Sequence, residues 1–475
     1  MLTEYDAVVV GSGPNGLAAA IEIARQGRSV LVLERATEIG GGMRTAELTL
    51  PGFHHDVCAT VLPFGVGSPF FRSLPLERLG LEWVQPEIPL AHPLEGQDGA
   101  ALYRSLGETA SLLGVDAGSY EAVFGKLVSV WDELELALLS PMQRAPLHPV
   151  MLAGFARLGL QPATSLLRRI FTSEAARALV AGSAAHSILP LEKPWTSTFG
   201  LILTTLGHTR GWPSVRGGTR RLAEALAAHL VELGGEIATD RDVTVFGDIP
   251  SARVVLFDTS PGALARIVGD RLPERFSGRL ARFEHGPGAF KLDFALAGPI
   301  PWAFLPARRA GTVHVGGSLA EIADSERSVW RGVPPERPFV IVAQPSVADT
   351  SRAPDGMHVV WAYCHVPSGS SIDMTKSIED QIERFAPGFR DIILHRSAMT
   401  PADFERYNPN YVGGDIAGGA HSGLQIVLRP TSRLVPYRTP AEGVYLCSAS
   451  TPPGAGVHGM SGFWAARAAL AKELR

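Results

Sequence analysis

The sequence predicts an α/β protein built around a doubly wound parallel sheet of the Rossmann type. Two observations carry this prediction. Residues 5 to 34 read as strand, glycine-rich loop, helix and second strand, and residues 443 to 475 repeat the order strand, glycine-rich loop, helix. This order is typical of dinucleotide-binding sheets. We therefore expect a nucleotide-binding domain that uses both ends of the chain.

The first unit begins with Tyr5–Val10, which is short and apolar on both faces, as expected of a strand buried inside a parallel sheet. Helical spacing runs from Leu17 to Gln26, and Ser29–Glu34 forms a second strand. The loop between the first strand and the helix consists of Gly11, Ser12, Gly13, Pro14, Asn15 and Gly16.

These glycines allow a tight turn and let the backbone approach a pyrophosphate, whose charge is stabilised by the amino end of the helix. Glu34 lies 23 positions after Gly11 (34 − 11), where an acid accepts hydrogen bonds from the hydroxyls of a ribose. Arg35 follows it and is included in the candidate set. The unit therefore predicts a dinucleotide site.

The continuation of this segment indicates which dinucleotide. Residues Gly40 to Thr45 contain Gly41, Gly42, Met43 and Arg44. Here the sequence resembles the flavoprotein family of amine oxidases, phytoene desaturases and carotenoid isomerases, in which the arginine approaches the pyrophosphate and the glycines pass close to the cofactor. The resemblance implies FAD as the cofactor and a domain of the glutathione-reductase type.

The carboxyl-terminal unit resembles the same family. A buried strand precedes a glycine loop and a helix, and the loop is expected to place backbone amides near the flavin ring. The family usually has glycine where this chain has Ser448. The candidate cofactor contacts of this unit are Ser448, Ala449, Gly456, Val457, His458 and Met460.

The resemblance also divides the chain into domains. It implies a discontinuous FAD-binding domain of residues 1–74, 205–285 and 420–475, a helical cap of residues 75–204 and a substrate domain sheet of residues 286–419. In relatives the backbone near Val243 passes the adenine, and Thr259 follows a buried strand of the same block. Asp56 and Val57 resemble the family segment that returns beneath the flavin.

Two residues are candidates for catalysis. Lys291 precedes a Pro-Trp step and resembles the amine-oxidase lysine that holds a water against the flavin, but an ordinary ion pair with Asp293 explains it equally well. His458 lies in the glycine loop and is able to donate a hydrogen bond or move a proton. Adjacent His54 and His55 lack the spacing of a metal pair, so no metal is predicted.

The helix-like region of residues 75–204 carries apolar stripes at Val150–Phe155 and Leu166–Phe171 with basic neighbours. Packed core is the favoured interpretation, with peripheral membrane contact and an apolar tunnel as alternatives. A homodimer also stays open.

Composition limits the remaining possibilities. The chain has 475 residues, 45% hydrophobic and 19% charged, so it is a large globular protein. Its net charge of −4, without long basic blocks, argues against nucleic acid as a partner. Three cysteines without metal spacing and the lack of a leader or membrane span favour the cytoplasm.

The predicted function is an FAD-dependent oxidoreductase that takes a hydride from a small, largely apolar organic substrate and forms C=C or C=N. A second dinucleotide fingerprint is lacking, so oxygen or a quinone is the expected electron acceptor. One alternative is a redox-neutral isomerase of a polyene. Another is a non-enzymatic carrier that resembles the GDP-dissociation inhibitors.

Overall fold

A computed structural model describes residues 4–96, 98–141 and 148–475. The nucleotide-binding domain contains a five-stranded sheet, all of whose neighbouring strands are parallel. Its strands, in spatial order, are Val444–Leu446, Ala252–Phe257, Tyr5–Val10, Val30–Leu33 and Glu236–Ala238. The predicted fold class and the contribution of both chain ends to this sheet are confirmed.

The central strands of the sheet are buried on both faces. Val8 pairs in register with Val255 on one side and with Leu31 on the other, and all three side chains are buried. Apolar residues on both faces are what a parallel sheet covered by helices requires. The helices of this domain are Pro14–Ala24, Arg220–Glu232, Pro261–Val268, Glu274–Ala281 and Met460–Leu470.

The first and last of these helices pack directly against each other. A Cβ atom at Gly462 would lie 1.8 Å from the carbonyl oxygen of Asn15, so only glycine permits this approach. The two predicted glycine loops are thereby brought to the same edge of the sheet.

The second domain contains a seven-stranded mixed sheet. In spatial order its strands are Ile393–Met399, Gly288–Leu296, His358–Val366, Val340–Ala343, Ala310–Val315, Ile88–Pro93 and Gly99–Leu102. The helices beside it are Leu319–Trp330, Thr375–Phe385 and Pro401–Tyr407. Two-stranded pairs join Thr45–Ala46 to His55–Asp56 and Trp83–Val84 to Ser214–Val215.

The expectation that residues 75–204 form only a helical cap is wrong at its start. Ile88–Pro93 pairs in parallel with Ala310–Val315 and antiparallel with Gly99–Leu102, so both segments belong to the mixed sheet. Ala310–Val315, the parallel partner of Ile88–Pro93, lies more than 200 residues away in the sequence, and no local alternation of apolar and polar residues marked the two segments as strands.

Trp83–Val84 is also a strand, and the described residues from Leu106 onward in this segment are mainly helical. The cap helices are Leu106–Leu112, Ala117–Ser129, Trp131–Leu138, Pro149–Gly159, Ala163–Ile170, Glu174–Ala185 and Thr196–Thr209, and two short helices, Pro63–Gly67 and Pro69–Arg72, precede the cap. Among the described helices, none combines the length and the apolar character needed to cross a bilayer.

Candidate active site

One continuous cavity of about 930 Å³ reaches from the first glycine loop to the cap helices. Most of the predicted cofactor residues line it. They are Gly11, Ser12, Gly13, Pro14, Asn15, Glu34, Arg35, Gly41, Gly42, Arg44, Val243, Thr259, Ala449, Gly456, Val457 and His458. Gly16, Met43, Asp56, Val57, Lys291, Ser448 and Met460 were predicted as site residues but do not line the cavity.

The first glycine loop has the tight geometry that its sequence predicts. Gly11 has a φ of 103°, and a Cβ at Gly16 would lie 2.1 Å from the carbonyl oxygen of Gly11. Gly16 therefore packs against the loop backbone at Gly11 and does not face the cavity. The N-cap residue of helix Pro14–Ala24 is Gly13, which has no side chain to cap the helix, and Asn15 Oδ1 is buried without a hydrogen-bond partner among the described residues.

Glu34 stands at the end of the second strand with its carboxylate fully engaged. Oε2 accepts hydrogen bonds from the Ser12 amide at 3.0 Å and the Ser12 hydroxyl at 2.6 Å. Oε1 accepts from the Ala36 amide at 2.9 Å and from Arg44 Nη2 at 3.2 Å. A ribose hydroxyl that binds Glu34 must therefore replace one of these donors.

Arg44 is held by partners on three sides. Its guanidinium donates to the Glu38 carbonyl at 2.6 Å and lies 5.3 Å from the centre of the Tyr407 ring. Tyr407 in turn donates to the carbonyl of Gly41 at 2.6 Å. Sequence reasoning did not identify Tyr407, because it reaches the loop from 366 positions away.

Asp258 is a second residue that sequence reasoning missed. Its Oδ2 accepts the Gly16 amide at 2.9 Å, and a Cβ at Gly13 would lie 2.6 Å from the same oxygen. Burial, together with the nearby Glu34 carboxylate, raises the pKa of Asp258 to about 7 against the effect of the Gly16 hydrogen bond. The available signal was its place directly after strand Ala252–Phe257, at the edge where open parallel sheets bind ligands.

Asp56 and Val57 do not meet the cavity, contrary to the prediction. The lining of this segment starts at Cys58 and continues to Gly65. The segment does return beside the cavity, but its first two residues face the protein interior.

The Asp56 carboxylate connects the two domains through hydrogen bonds. It accepts hydrogen bonds from Thr45 Oγ1 at 2.7 Å, Thr60 Oγ1 at 2.8 Å, the Thr219 amide at 2.8 Å and Arg352 Nη2 at 2.7 Å. Burial opposes ionisation, but Arg352 and the hydrogen bonds from Thr219 and Thr45 hold the pKa of Asp56 below its usual value. These partners leave the carboxylate no role toward a ligand.

The Lys291 ammonium likewise makes its hydrogen bonds to buried groups of the protein. Its Nζ donates to Asp293 Oδ2 at 2.7 Å and to the carbonyls of Asp56 at 2.9 Å and Val57 at 3.0 Å. Three acceptors satisfy the three N–H groups of an ammonium. The catalytic interpretation of Lys291 is therefore not supported by the geometry, which matches the alternative of an ion pair with Asp293.

The carboxyl-terminal loop places His458 on the cavity wall. His458 Nδ1 accepts the amide of Met460 at 3.0 Å, which leaves the proton on Nε2. Burial lowers the pKa of His458 to about 4, so the ring is neutral at pH 7. The residue is thus a hydrogen-bond donor and not a base at this position.

Three other predicted contacts lie behind the cavity wall. Ser448 accepts through its carbonyl from Thr451 Oγ1 at 2.7 Å and shapes the turn after the last strand. Met460 starts helix Met460–Leu470, and Met43 is buried in the core of the nucleotide-binding domain.

The other half of the cavity is apolar and aromatic. Trp361 and Tyr363, 4.9 Å apart between ring centres, line it from the mixed sheet. The cap side is formed by Leu152, Phe155, Leu160, Phe199, Ile202 and Leu203. The apolar stripe at Val150–Phe155 therefore contributes to the cavity wall.

The second apolar stripe of the cap is core, as favoured from the sequence. Leu166, Leu167 and Phe171 are buried in the cap cluster. No group of three or more potential metal ligands comes together within the part of the chain that the structure describes.

Comparisons with known proteins agree with this geometry. The family model described as an NAD(P)-binding Rossmann-like domain matches residues 9–74. The chain is 28% identical to pyridine nucleotide-disulfide oxidoreductase domain-containing protein 2 of Rattus norvegicus, over 97% of this chain and 92% of that protein. It is 24% identical to 4,4'-diapophytoene desaturase (4,4'-diaponeurosporene-forming) of Staphylococcus aureus (strain bovine RF122 / ET3-1), over 94% and 95%.

A solved structure shows the same fold. Cyclohexylamine oxidase from Brevibacterium oxydans IH-35A superposes with a TM-score of 0.60 at 16% identity, over 99% of each chain. The predicted resemblance to the phytoene desaturases and amine oxidases is thereby confirmed, and FAD as the cofactor agrees with it.

The residues present fit such a cofactor. The amino end of helix Pro14–Ala24 lies where a pyrophosphate would lie, and Glu34 and Arg44 stand beside it. The cavity continues without a break from this polar end to Trp361 and Tyr363.

Proposed function

We propose that this relative of the phytoene desaturases and amine oxidases is an FAD-dependent dehydrogenase of an apolar organic substrate. The observation that carries the proposal is the single cavity of about 930 Å³, polar at the glycine loop and apolar at the cap. Bound FAD would accept the hydride that the substrate loses. The chain's own residues bind the cofactor, orient the substrate and exclude water.

The polar end supplies the cofactor contacts. The positive end of the dipole of helix Pro14–Ala24 stabilises the phosphate charge, while the Gly16 amide in its first turn is held by Asp258 Oδ2. Glu34 accepts the ribose hydroxyls in exchange for one of its present donors, and Arg44 stays near the pyrophosphate. His458 donates through Nε2 to the ligand that fills the cavity.

The apolar end sets the class of substrate. Side chains such as Phe155, Phe199 and Trp361 remove water from the bond to be oxidised. A hydrocarbon segment is stabilised there by burial, at about 25 cal/mol per Å² of apolar surface.

Formation of C=C is favoured over oxidation of a charged amine. Among the described residues that line the cavity, the acids are Glu34, Asp242 and Asp258, and all three belong to the nucleotide-binding domain. A protonated amine at the apolar end would therefore lack a carboxylate to balance its charge. Lys291, on which the amine-oxidase interpretation depended, points its ammonium at other partners.

The electron acceptor is proposed to be oxygen or a quinone, because only one dinucleotide fingerprint is present in the sequence. NADH and NADPH are accordingly expected not to bleach the flavin in rapid-mixing experiments. Saturable, rapid bleaching by either nucleotide would reveal a nicotinamide site.

Anaerobic mixing of the FAD-loaded protein with candidate polyenes, amines and imines tests the proposal. Bleaching of the flavin absorbance by an apolar substrate, with recovery on admission of oxygen or a quinone, is the expected result. Conversion of a polyene without net bleaching would favour the isomerase. A protein that binds apolar compounds but takes up no flavin would favour the carrier.

A further inference from the structure

Arg429 is an arginine in the cavity wall that forms no ion pair with an acid among the described residues. Its side chain lines the cavity, and the residue is 1% exposed. The ion pairs within the described residues do not include it. A fully buried guanidinium without a counter-ion is rare, because burial of an isolated charge is costly.

The hydrogen bonds of Arg429 leave some N–H groups of its guanidinium without an acceptor among the described residues. Nη2 donates to the Gly418 carbonyl at 2.9 Å, while Nε has no partner among the described residues. The ring of Phe283 lies 6.0 Å from the guanidinium carbon. These neutral contacts hold the side chain in position but do not balance its charge.

Asp415 is the acid whose charge acts on Arg429, and its carboxylate oxygens are hydrogen-bonded to backbone amides. The Asp415 carboxylate accepts the amides of Gly286, Ala417 and Gly419, each at 2.8 Å. Burial lowers the pKa of Arg429 to about 10, and Asp415 offsets this effect only in part. The guanidinium remains charged at pH 7, and no carboxylate of the described residues forms a direct ion pair with it.

The cavity that Arg429 lines gives a ligand access to its guanidinium. A Cβ at Gly454 would lie 3.1 Å from Arg429 Nη1, so the glycine in the carboxyl-terminal loop leaves room for the guanidinium. On the cap side stands His421, which also lines the cavity and whose Nδ1 lies 3.1 Å from the Ser187 carbonyl. Burial and the charge of Arg429 lower the pKa of His421 to about 4, so it is neutral.

The planar fork of arginine matches a carboxylate, which accepts two parallel hydrogen bonds from it. The cavity around Arg429 is otherwise apolar toward the cap. The ligand that fits both features is an apolar molecule with one anionic end.

We propose that Arg429 binds a carboxylate on the apolar substrate, which makes the substrate class an acid with a hydrocarbon body. This inference rests on the proposed function, because it places the substrate in the apolar half of the same cavity. The phosphates of the cofactor are the competing source of an anion, and the test separates the two.

The test compares decanoate with 1-decanol as probes of the FAD-loaded protein. Binding is followed by quenching of tryptophan fluorescence, since Trp195, Trp212 and Trp361 line the cavity. We expect the wild-type protein to bind decanoate about tenfold or more tightly than decanol, the scale of a charge-assisted bidentate pair. Arg429→Gln should abolish this preference, and Arg429→Lys should retain part of it.

Arg433→Gln is the matched control, because Arg433 lies in the same loop but does not line the cavity. It should keep the wild-type preference. FAD affinity in Arg429→Gln should remain within about threefold of wild type, since only the substrate contact is removed.

Equal binding of the two probes by wild type would overturn the proposal even if Arg429→Gln failed to fold. A tenfold loss of FAD affinity in Arg429→Gln would assign the anion to the cofactor and overturn it as well. Failure of the proposed function would appear separately, as a protein that holds no FAD or whose flavin no substrate reduces.

Discussion

Lys291 Nζ lies 2.7 Å from Asp293 Oδ2, and neither side chain is exposed to solvent. The pair belongs to a buried network, since Asp293 Oδ1 lies 3.4 Å from His55 Nδ1 and Lys291 also holds the carbonyls of Asp56 and Val57. The role of Lys291 is therefore to fix the segment that leads into the cavity wall at Cys58.

Lys291→Met should lower the free energy of unfolding by about 3 to 5 kcal/mol, because it leaves Asp293 buried without its cation. Asp293→Asn should cost a comparable amount, and the double variant should cost less than the sum of the two. Urea unfolding of the three variants measures this. Wild-type stability in Lys291→Met with flavin reduction slowed about 100-fold would instead return Lys291 to catalysis.

Glu34→Ala should weaken FAD binding by about 1 to 3 kcal/mol, because the ribose hydroxyls lose their acceptor. Ser12→Ala is the control, since the Ser12 hydroxyl competes for the same carboxylate oxygen. It should change FAD affinity much less. Equilibrium titration with FAD compares the two, and equal affinities in wild type and Glu34→Ala would remove Glu34 from the site.

Gly16→Ala should abolish FAD binding and destabilise the fold, because its Cβ would lie 2.1 Å from the Gly11 carbonyl oxygen. Gly118→Ala is a matched control in helix Ala117–Ser129, where a Cβ meets no atom within 4 Å. It should raise stability by about 0.5 to 1 kcal/mol. Thermal melts and flavin content measure both. Normal flavin content in Gly16→Ala would contradict the loop geometry.

Stability should fall as the pH drops below about 6.5. Burial lowers the pKa of several histidines to about 3 or 4, so the unfolded chain binds protons that the folded chain refuses. The stability contributed by these histidines is fully present above pH 6.5, and each of them lowers the free energy of unfolding by about 1.4 kcal/mol per pH unit as the pH falls toward 4. Asp258, whose pKa is raised to about 7, acts in the opposite direction but is one group against five. They are His92, His186, His208, His421 and His458.

Urea unfolding at pH 7.5, 6.5 and 5.5 measures this slope. His92→Gln should make it shallower, because one titrating group is removed from the interior. A free energy of unfolding that stays constant over this range would contradict the burial of the neutral histidines.

The parts of the site that the sequence predicted are local in the chain. The glycine loop and Glu34 lie within 24 residues of each other, so spacing alone relates them. Asp258, by contrast, meets Gly16 across 242 positions, and Tyr407 meets Gly41 across 366. Such contacts depend on how the two sheets are placed, which no short motif encodes.

Lys291 is a further residue whose role depends on contacts that are distant in the sequence. The alternation along strand Gly288–Leu296 places Lys291 and Asp293 on the face opposite to Phe290 and Phe294, which lie in the apolar core. It did not reveal that the polar face is also buried, since the segment of His55 and Asp56 covers it from more than 230 positions away. The interpretation of Lys291 changed because its surroundings, and not its strand, decide its role.

The flavin content of the purified protein, followed by FAD titration of any protein that lacks flavin, decides whether this chain is a flavoprotein. We expect one noncovalent FAD per chain, released by denaturation and identified by chromatography. A folded protein that carries no flavin and does not bind FAD in the titration would rule out the proposed oxidoreductase.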